Sequence, residues 1–301
     1  MPSSKLGNHT ITALTRTGGS IKIPNDVKTV VVDYEDEATI IDALKGQQFL
    51  IITLGHEVSD EIHSRIVASA GKAGVPYIMP NAYCYPINEE NIPEGDSFNK
   101  MLLSRINGIK DMGLSATFIL SCGYWYEWCL ALGDFWSGIN IKKRRVTFFD
   151  DGNRIITVNA WDQCGRAVAG LLSLPEHGPS PCLADYRDRD ILIYSFRVSQ
   201  RDMLDSVNRV MGLTDSDWNI QYEATARRIS DGEAEVREGK ISGEAKAMYG
   251  RTFHPSNANS DFAGTQRVDN EILGLPEESL DEATRRAVEM VESGFNPYGL
   301  L

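Results

Sequence analysis

VKTVVVDYEDEATIIDALKGQQFLIITLG, residues 27–55, decides the fold. It opens on a β-branched run, Val27 to Tyr34, the composition a pleated, packed strand favours. DEATIIDALKG follows with helical spacing, which predicts Ala38, Ile41 and Leu44 on one face and Gly46 as the stop. The stretch closes on QFLIITLG, Gln48 to Gly55, where apolar residues run without alternation. Such a run marks a parallel strand covered on both faces. Strand, helix and strand in so short a span form a βαβ unit.

The unit repeats outward in both directions. Downstream, SDEIHSRIVASAGKAG reads as a helix with Ser59 as N-cap, Glu61, Ile62, Ile66 and Ala70 at helical spacing, and Gly74 as the stop. VPYIMP is the next strand. A long loop, NAYCYPINEENIPEGD, leads to a helix over Ser97 to Met112, and SATFILSCG (Ser115 to Gly123) is the strand after it. Upstream, HTITALTR carries a strand from Thr10 to Leu14. Right-handed crossovers turn this alternation into an α/β fold with a doubly wound parallel sheet. Ligands of such sheets bind outside the carboxyl ends of the strands. Those ends are Thr15-Arg16, Asp33-Tyr34, Thr53-Leu54-Gly55, Pro80-Asn81 and Ser121-Cys122-Gly123.

Beyond residue 123 the pattern changes. GYWYEWCLALGDFW packs tryptophans and tyrosines densely. VTFFDDGNRIITV predicts a hairpin around Asp151-Gly152. AWDQCGRAVAGLLSLP predicts a helix burying Val168, Leu171 and Leu172, and DILIYSF a further strand. SQRDMLDSVNRVMG predicts a helix capped by Ser199, with Asp202 at N3 and Gly212 as the stop. A mostly helical, acidic tail runs from Trp218. The expected organisation is a core over residues 1–176 and a smaller lobe over 177–301, with 124–150 also contributing to the pocket.

A chain of 301 residues, 42% hydrophobic and 24% charged, has the means to bury a large core. Its net charge of −12 and pI near 4.9 argue against nucleic-acid binding. The short KKRR at Lys142 to Arg145 reads as a solvated turn. Five cysteines, odd in number and without a CxxC pair, fit reduced thiols of a cytoplasmic protein and predict neither a disulfide framework nor a metal site. The first residues are polar, and no apolar run reaches membrane-spanning length.

HTITALTR, VKTVVVDY, FLIITLG, GVPYIMPNAY and GLSATFILSCGYWYE, in that order and at these spacings, resemble one family. It is the NmrA-like, isoflavone reductase-like branch of the atypical short-chain dehydrogenases, in its fungal form; FFDDG, QCGRAVAGLLSLP and SFRVSQRDML extend the resemblance. It implies a Rossmann sheet with a smaller substrate lobe, NADP(H) as cofactor, and hydride transfer to a small aromatic or secondary-metabolite substrate. Some members only sense the dinucleotide, without chemistry, and the resemblance carries that alternative, with a protein partner. In the family a first strand and a GxxGxxG turn precede the segment matched by HTITALTR, and Lys5-Leu6-Gly7 resembles the last turn of the helix between them. That strand and turn are therefore expected to be missing, which raises a third reading, a truncated form with impaired cofactor binding. The Thr10–Leu14 and Gln48–Leu54 strands would then either pair directly or be served by further N-terminal sequence.

The resemblance also assigns residues. Thr15 and Arg16 face the adenosine ribose, with Arg16 suited to a 2′-phosphate or else solvated in a turn. Asp33 approaches the adenine or caps the next helix. Thr53, Leu54 and Gly55 line the cofactor, Gly55 permitting close backbone approach, and Pro80 and Asn81 follow at the next strand end. His56 reads as solvated. No tyrosine has a lysine four residues on, so the usual short-chain dehydrogenase pair is absent. The family's alternative lysine finds Lys100 as its nearest candidate for general acid or orienting cation, although its register falls at about Leu102. Tyr83 is the candidate phenol for proton transfer. Tyr85, Tyr124, Trp125 and Trp128 are expected to wall the substrate pocket, where aromatics offer flat apolar area with polar tips. Glu127, inside that cluster, is either an acid or base or the partner of an arginine.

Overall fold

The computed structural model describes residues 9–19, 23–55, 58–93 and 95–299. The expectations for Lys5-Leu6-Gly7 and for His56 lie outside these residues. The chain forms β1 (Thr12–Thr15), β2 (Lys28–Val31), α1 (Glu37–Leu44), β3 (Phe49–Ile51), α2 (Asp60–Ala73), β4 (Tyr77–Met79), α3 (Ser97–Met112) and β5 (Ala116–Ser121). It continues through β6 (Tyr124–Trp125), α4 (Tyr126–Leu132), β7 (Ile139–Asn140), β8 (Arg145–Phe149), β9 (Ile156–Asn159), α5 (Trp161–Leu172), β10 (Arg189–Leu192) and β11 (Phe196–Val198). The last elements are α6 (Gln200–Met211), β12 (Asn219–Glu223), α7 (Thr225–Arg237), α8 (Ile241–Phe253), α9 (Phe262–Thr265) and α10 (Leu280–Glu292).

Strands β10, β5, β4 and β3 make an all-parallel sheet in that order, and β1 and β2 make a separate parallel pair. Alternate residues point to opposite faces. Leu14, Val30, Val32, Leu50, Ile52 and Ile78 pack with Ile40 and Leu44 of α1, Ile66, Val67 and Ala70 of α2, and Ile109 of α3. On the other face Phe49, Tyr77, Met79, Phe118, Leu120 and Cys122 pack with Ala167 and Leu171 of α5. Helices on both faces make the sheet doubly wound, as the alternating sequence predicts. Strand β10, beyond residue 176, is nonetheless the edge of this core sheet.

Of the two alternatives for the Thr10–Leu14 and Gln48–Leu54 strands, direct pairing does not occur: among the described residues no ladder and no backbone hydrogen bond joins β1 to β3. Strands β4 and β5 are buried throughout, but Val31 is 59% exposed and Ile51 36%. Parallel strands are ordinarily covered on both faces; here the ends of β2 and β3 leave one face open.

Local signals held where both partners are close in sequence. Ser59 accepts from Ile62 N, and Gly74 ends α2 in the left-handed region. Ser199 and Asp202 form a reciprocal capping box, and Gly212 ends α6. The face of α1 is corrected: Ile40 and Leu44 are buried and Ala38 is exposed, because Asp36, not Asp33, caps the helix and sets its phase.

The hairpin around Asp151-Gly152 does not form. β8 lies between β12 and β7, whereas β9 lies between β11 and β6. Asp150 diverts the chain: its N–H donates to Glu223 O, and its carboxylate accepts from Thr225 N and Thr225 Oγ1. The turn thereby anchors the start of α7 rather than a strand pair. DILIYSF is likewise two strands: β10 joins the core sheet and β11 pairs antiparallel with β9 in the lobe. In α5, Ala167 and Leu171 are buried, while Val168 and Leu172 are only partly so. All five cysteines are free thiols. No helix among the described residues is long and apolar enough to cross a membrane.

Candidate functional site at the strand ends

The ends of β1 and β2 lie side by side, since Val32 N donates to Thr15 O at 2.9 Å. Arg16 is exposed and makes no ion pair among the described residues. It stands near Tyr34, whose phenol is pushed up by burial and drawn partly back by the Arg16 charge. Asp33 Oδ1 accepts from Glu35 N at 2.9 Å, a local turn rather than the cap of α1. Thr15 bonds weakly to Arg16 O. The structure thus brings Thr15, Arg16, Asp33 and Tyr34 together at one corner.

At the next strand ends the backbone ladder runs out at Pro80, and side chains finish it. Ile52 N still bonds Met79 O at 3.0 Å. Beyond it, Tyr83 Oη donates to Ile52 O at 2.8 Å and Asn81 Nδ2 to Leu54 O at 2.9 Å. Both carbonyls point toward β4, so the two side chains replace ladder bonds that the proline turn removes. Burial pushes the Tyr83 phenol far above its ordinary value. The expected catalytic role for Tyr83 is therefore corrected: its proton is committed to a backbone carbonyl. Thr53 and Gly55 are exposed and Leu54 is partly buried.

Lys100 is also corrected. It lies on the exposed side of α3, while Asn99, Leu102, Arg105 and Ile106 form the buried stripe. Leu102, at the register expected for a lysine, packs with Ala82, Cys84 and Ile119. The inward polar group is instead Asn99, whose Nδ2 donates to Tyr85 Oη at 2.8 Å and to Asp96 Oδ2 at 2.7 Å. Asn99→Ala should lower the unfolding free energy by about 1.5 kcal/mol by leaving buried acceptors unmatched, whereas Lys100→Ala should change it by less than about 0.5 kcal/mol. Urea denaturation of both variants checks this, and a larger loss for Lys100→Ala would contradict the placement.

Tyr85 and Tyr124 are interior to the lobe and do not wall an open pocket. Tyr124 stacks on Tyr249 at 4.2 Å between centroids, and its hydroxyl accepts from Thr252 Oγ1 at 2.6 Å. The void beside Tyr124, Tyr249 and Cys129 measures about 10 Å³. Trp125 packs against the buried cluster that contains Cys122 and Leu171, with its Nε1 unpartnered. Trp128 joins Trp125, Trp161, Phe295 and Tyr298 in one aromatic cluster. Glu127, 2% exposed, is an arginine's partner: its Oε1 accepts from Arg286 Nε and Nη2 at 3.0 and 2.7 Å, and its Oε2 from Trp161 N at 3.2 Å. A cleft of about 420 Å³ opens over Trp161 and Arg286. Neither residue stands out as a site in the sequence; a tryptophan at a helix start, off its buried stripe, is the one signal.

No family model matches this chain, and no curated protein matches it. Solved structures do. Isoflavone reductase superposes with a TM-score of 0.72 at 16% identity, over 94% of this chain and 92% of that one. The pinoresinol-lariciresinol and phenylcoumaran benzylic ether reductases give 0.71 at 14%, over 95% and 93%. Citrobacter sp. triphenylmethane reductase complexed with NADP(H) gives 0.64 at 15%, over 94% of each chain. At these identities the likeness shows the fold alone, a Rossmann-like α/β fold.

Proposed function

We propose that the chain is an NADP(H)-dependent oxidoreductase of the NmrA-like, isoflavone reductase-like type, acting in the cytoplasm on a small aromatic or secondary-metabolite substrate. The near-complete superposition on isoflavone reductase carries this reading. The residues fit the adenosine end of such a cofactor: Arg16 is exposed and unpaired among the described residues at the end of β1, beside Tyr34. A guanidinium there suits a 2′-phosphate as a bidentate partner. The exposed Gly55 leaves room for close backbone approach along the strand ends. Among the described residues no glycine-rich turn leads from a strand into a helix, so the pyrophosphate has no comparable cradle there. The bound cofactor would supply a hydride; Arg16 would anchor it, and Trp125 would close the apolar side of the strand ends.

A second reading, a non-catalytic dinucleotide sensor working through a protein partner, draws on one observation. Tyr83 Oη donates to Ile52 O and Lys100 is exposed on α3, an arrangement that supports a site without either as its acid. Titration of the purified chain with NADPH and NADH separates the cases. The expected result is NADPH binding about tenfold tighter than NADH, with the preference abolished in Arg16→Ala. Turnover across a panel of aromatic carbonyls and enones supports the enzyme, and binding without turnover the sensor. Absence of binding by either nucleotide at millimolar concentration refutes both.

A further inference from the structure

The cleft over Trp161 is a second place where the molecule is built to receive a ligand, and its argument is independent of the cofactor reading. It lies between the first turn of α5, the last turn of α10 and Glu127 of α4, and its volume, about 420 Å³, is that of a small-molecule site. Trp161, 38% exposed, lines it together with Met290. The Trp161 indole also touches Trp128, Trp125 and Phe295, at 5.7, 6.4 and 6.4 Å between centroids. A partly exposed indole is thus held in place by packing with other rings before anything binds.

The charges favour one class of ligand. Three carboxylates, Glu127, Asp162 and Glu289, and one guanidinium, Arg286, line the cleft. Glu127 and Arg286 cancel each other in their ion pair. Asp162 and Glu289 make no ion pair among the described residues, although the Arg286 charge also acts on Asp162, so the lining holds more carboxylates than guanidinium groups. Glu289 sits in the last turn of α10, where the negative end of the helix dipole adds to the carboxylates. An anion at the start of α5 is disfavoured, because Glu127 already occupies the Trp161 N–H.

We propose that this cleft binds an organic cation, an alkylated ammonium carried on a flat apolar group, with the ammonium between Asp162 and Glu289 and the apolar part on Trp161. Cation–π attraction and the excess of carboxylates act together on such a ligand, and neither acts on a neutral one. Calorimetric titration of the full chain with benzyltrimethylammonium tests this, with benzyl alcohol and benzoate as neutral and anionic controls. The cation is expected to bind about tenfold or more tighter than either control and to weaken in 0.5 M salt, as exposed charge interactions do. Asp162→Asn with Glu289→Gln should weaken it about tenfold, and Trp161→Leu about threefold. The charge variant leaves the Glu127–Arg286 pair intact, so its fold is secured independently of Trp161. Equal binding of cation and alcohol, or unchanged affinity in the charge variant, overturns the proposal.

Discussion

Gly123→Ala is expected to cost about 4 kcal/mol, the sum of left-handed strain and an overpacked contact, and so to remove a large share of the stability of an ordinary domain. Gly123 joins β5 to β6 with φ at +62°. A Cβ there would lie 2.1 Å from Thr157 O and 2.9 Å from Thr157 C, both backbone atoms of β9. β9 is the middle strand of its sheet, and Asn159 at its end is fixed by bonds to Cys122 O and Ile193 O, so the carbonyl cannot retreat. Gly212→Ala is the control: its φ is +67°, but nothing lies within 4 Å of the added atom. That variant should lose only about 1 kcal/mol, the conformational share. Urea denaturation of the two variants isolates the contact, and equal losses would show that β9 yields.

The second large effect is a pH dependence set by His63. This residue is 3% exposed on α2, and its Nε2 has no partner. Burial first, then the charge of Arg105, lower its pKa to about 4, against a smaller opposing pull from Asp60. The unfolded chain therefore binds the proton more readily than the folded one between about 6.5 and about 4, and stability falls as pH falls through that window. Between pH 7.5 and 4.5 the contribution lost is about 2.5 kcal/mol. His63→Leu removes the titrating imidazole while every carboxylate remains, so its stability should fall about 2.5 kcal/mol less than that of the parent over the same interval. Coincident pH profiles for parent and variant would refute a neutral, buried His63.

What the sequence revealed follows the range of each interaction. The caps at Ser59, Gly74, Ser199 and Gly212 depend on neighbours a few residues away, and they stand as read, whereas the apolar run Gln48 to Gly55, expected to be covered on both faces, leaves Ile51 36% exposed. The Asp151-Gly152 turn misled because the groups that claim Asp150 belong to Thr225, 75 residues later. Glu127 could be read as an acid or base or as an arginine's partner, and its partner Arg286 is 159 residues away, with nothing local to select it. Tyr83 looked like a free phenol because its partner, Ile52 O, is left over only once Pro80 has ended the ladder. Lys100 is a matter of phase: one residue earlier, Asn99 is inside, and two later, Leu102 is too. The corner at Arg16 was legible because strand ends in a parallel sheet are fixed by topology alone.

The gap beside β1 divides the molecule's cooperativity. Among the described residues no backbone hydrogen bond ties residues 9–47 to the rest of the chain. They are held by apolar packing of α1 on α2, by Arg65 on Tyr34 O and Glu35, and by Lys72 on Glu37. Such a unit can swing away and return without opening a single rung of the four-stranded sheet, a foldon whose release costs less than global unfolding. Arg16 rides on that unit and the strand ends of β3, β4 and β5 do not, so any ligand gripping both would also be the clasp that fastens one half of the protein to the other.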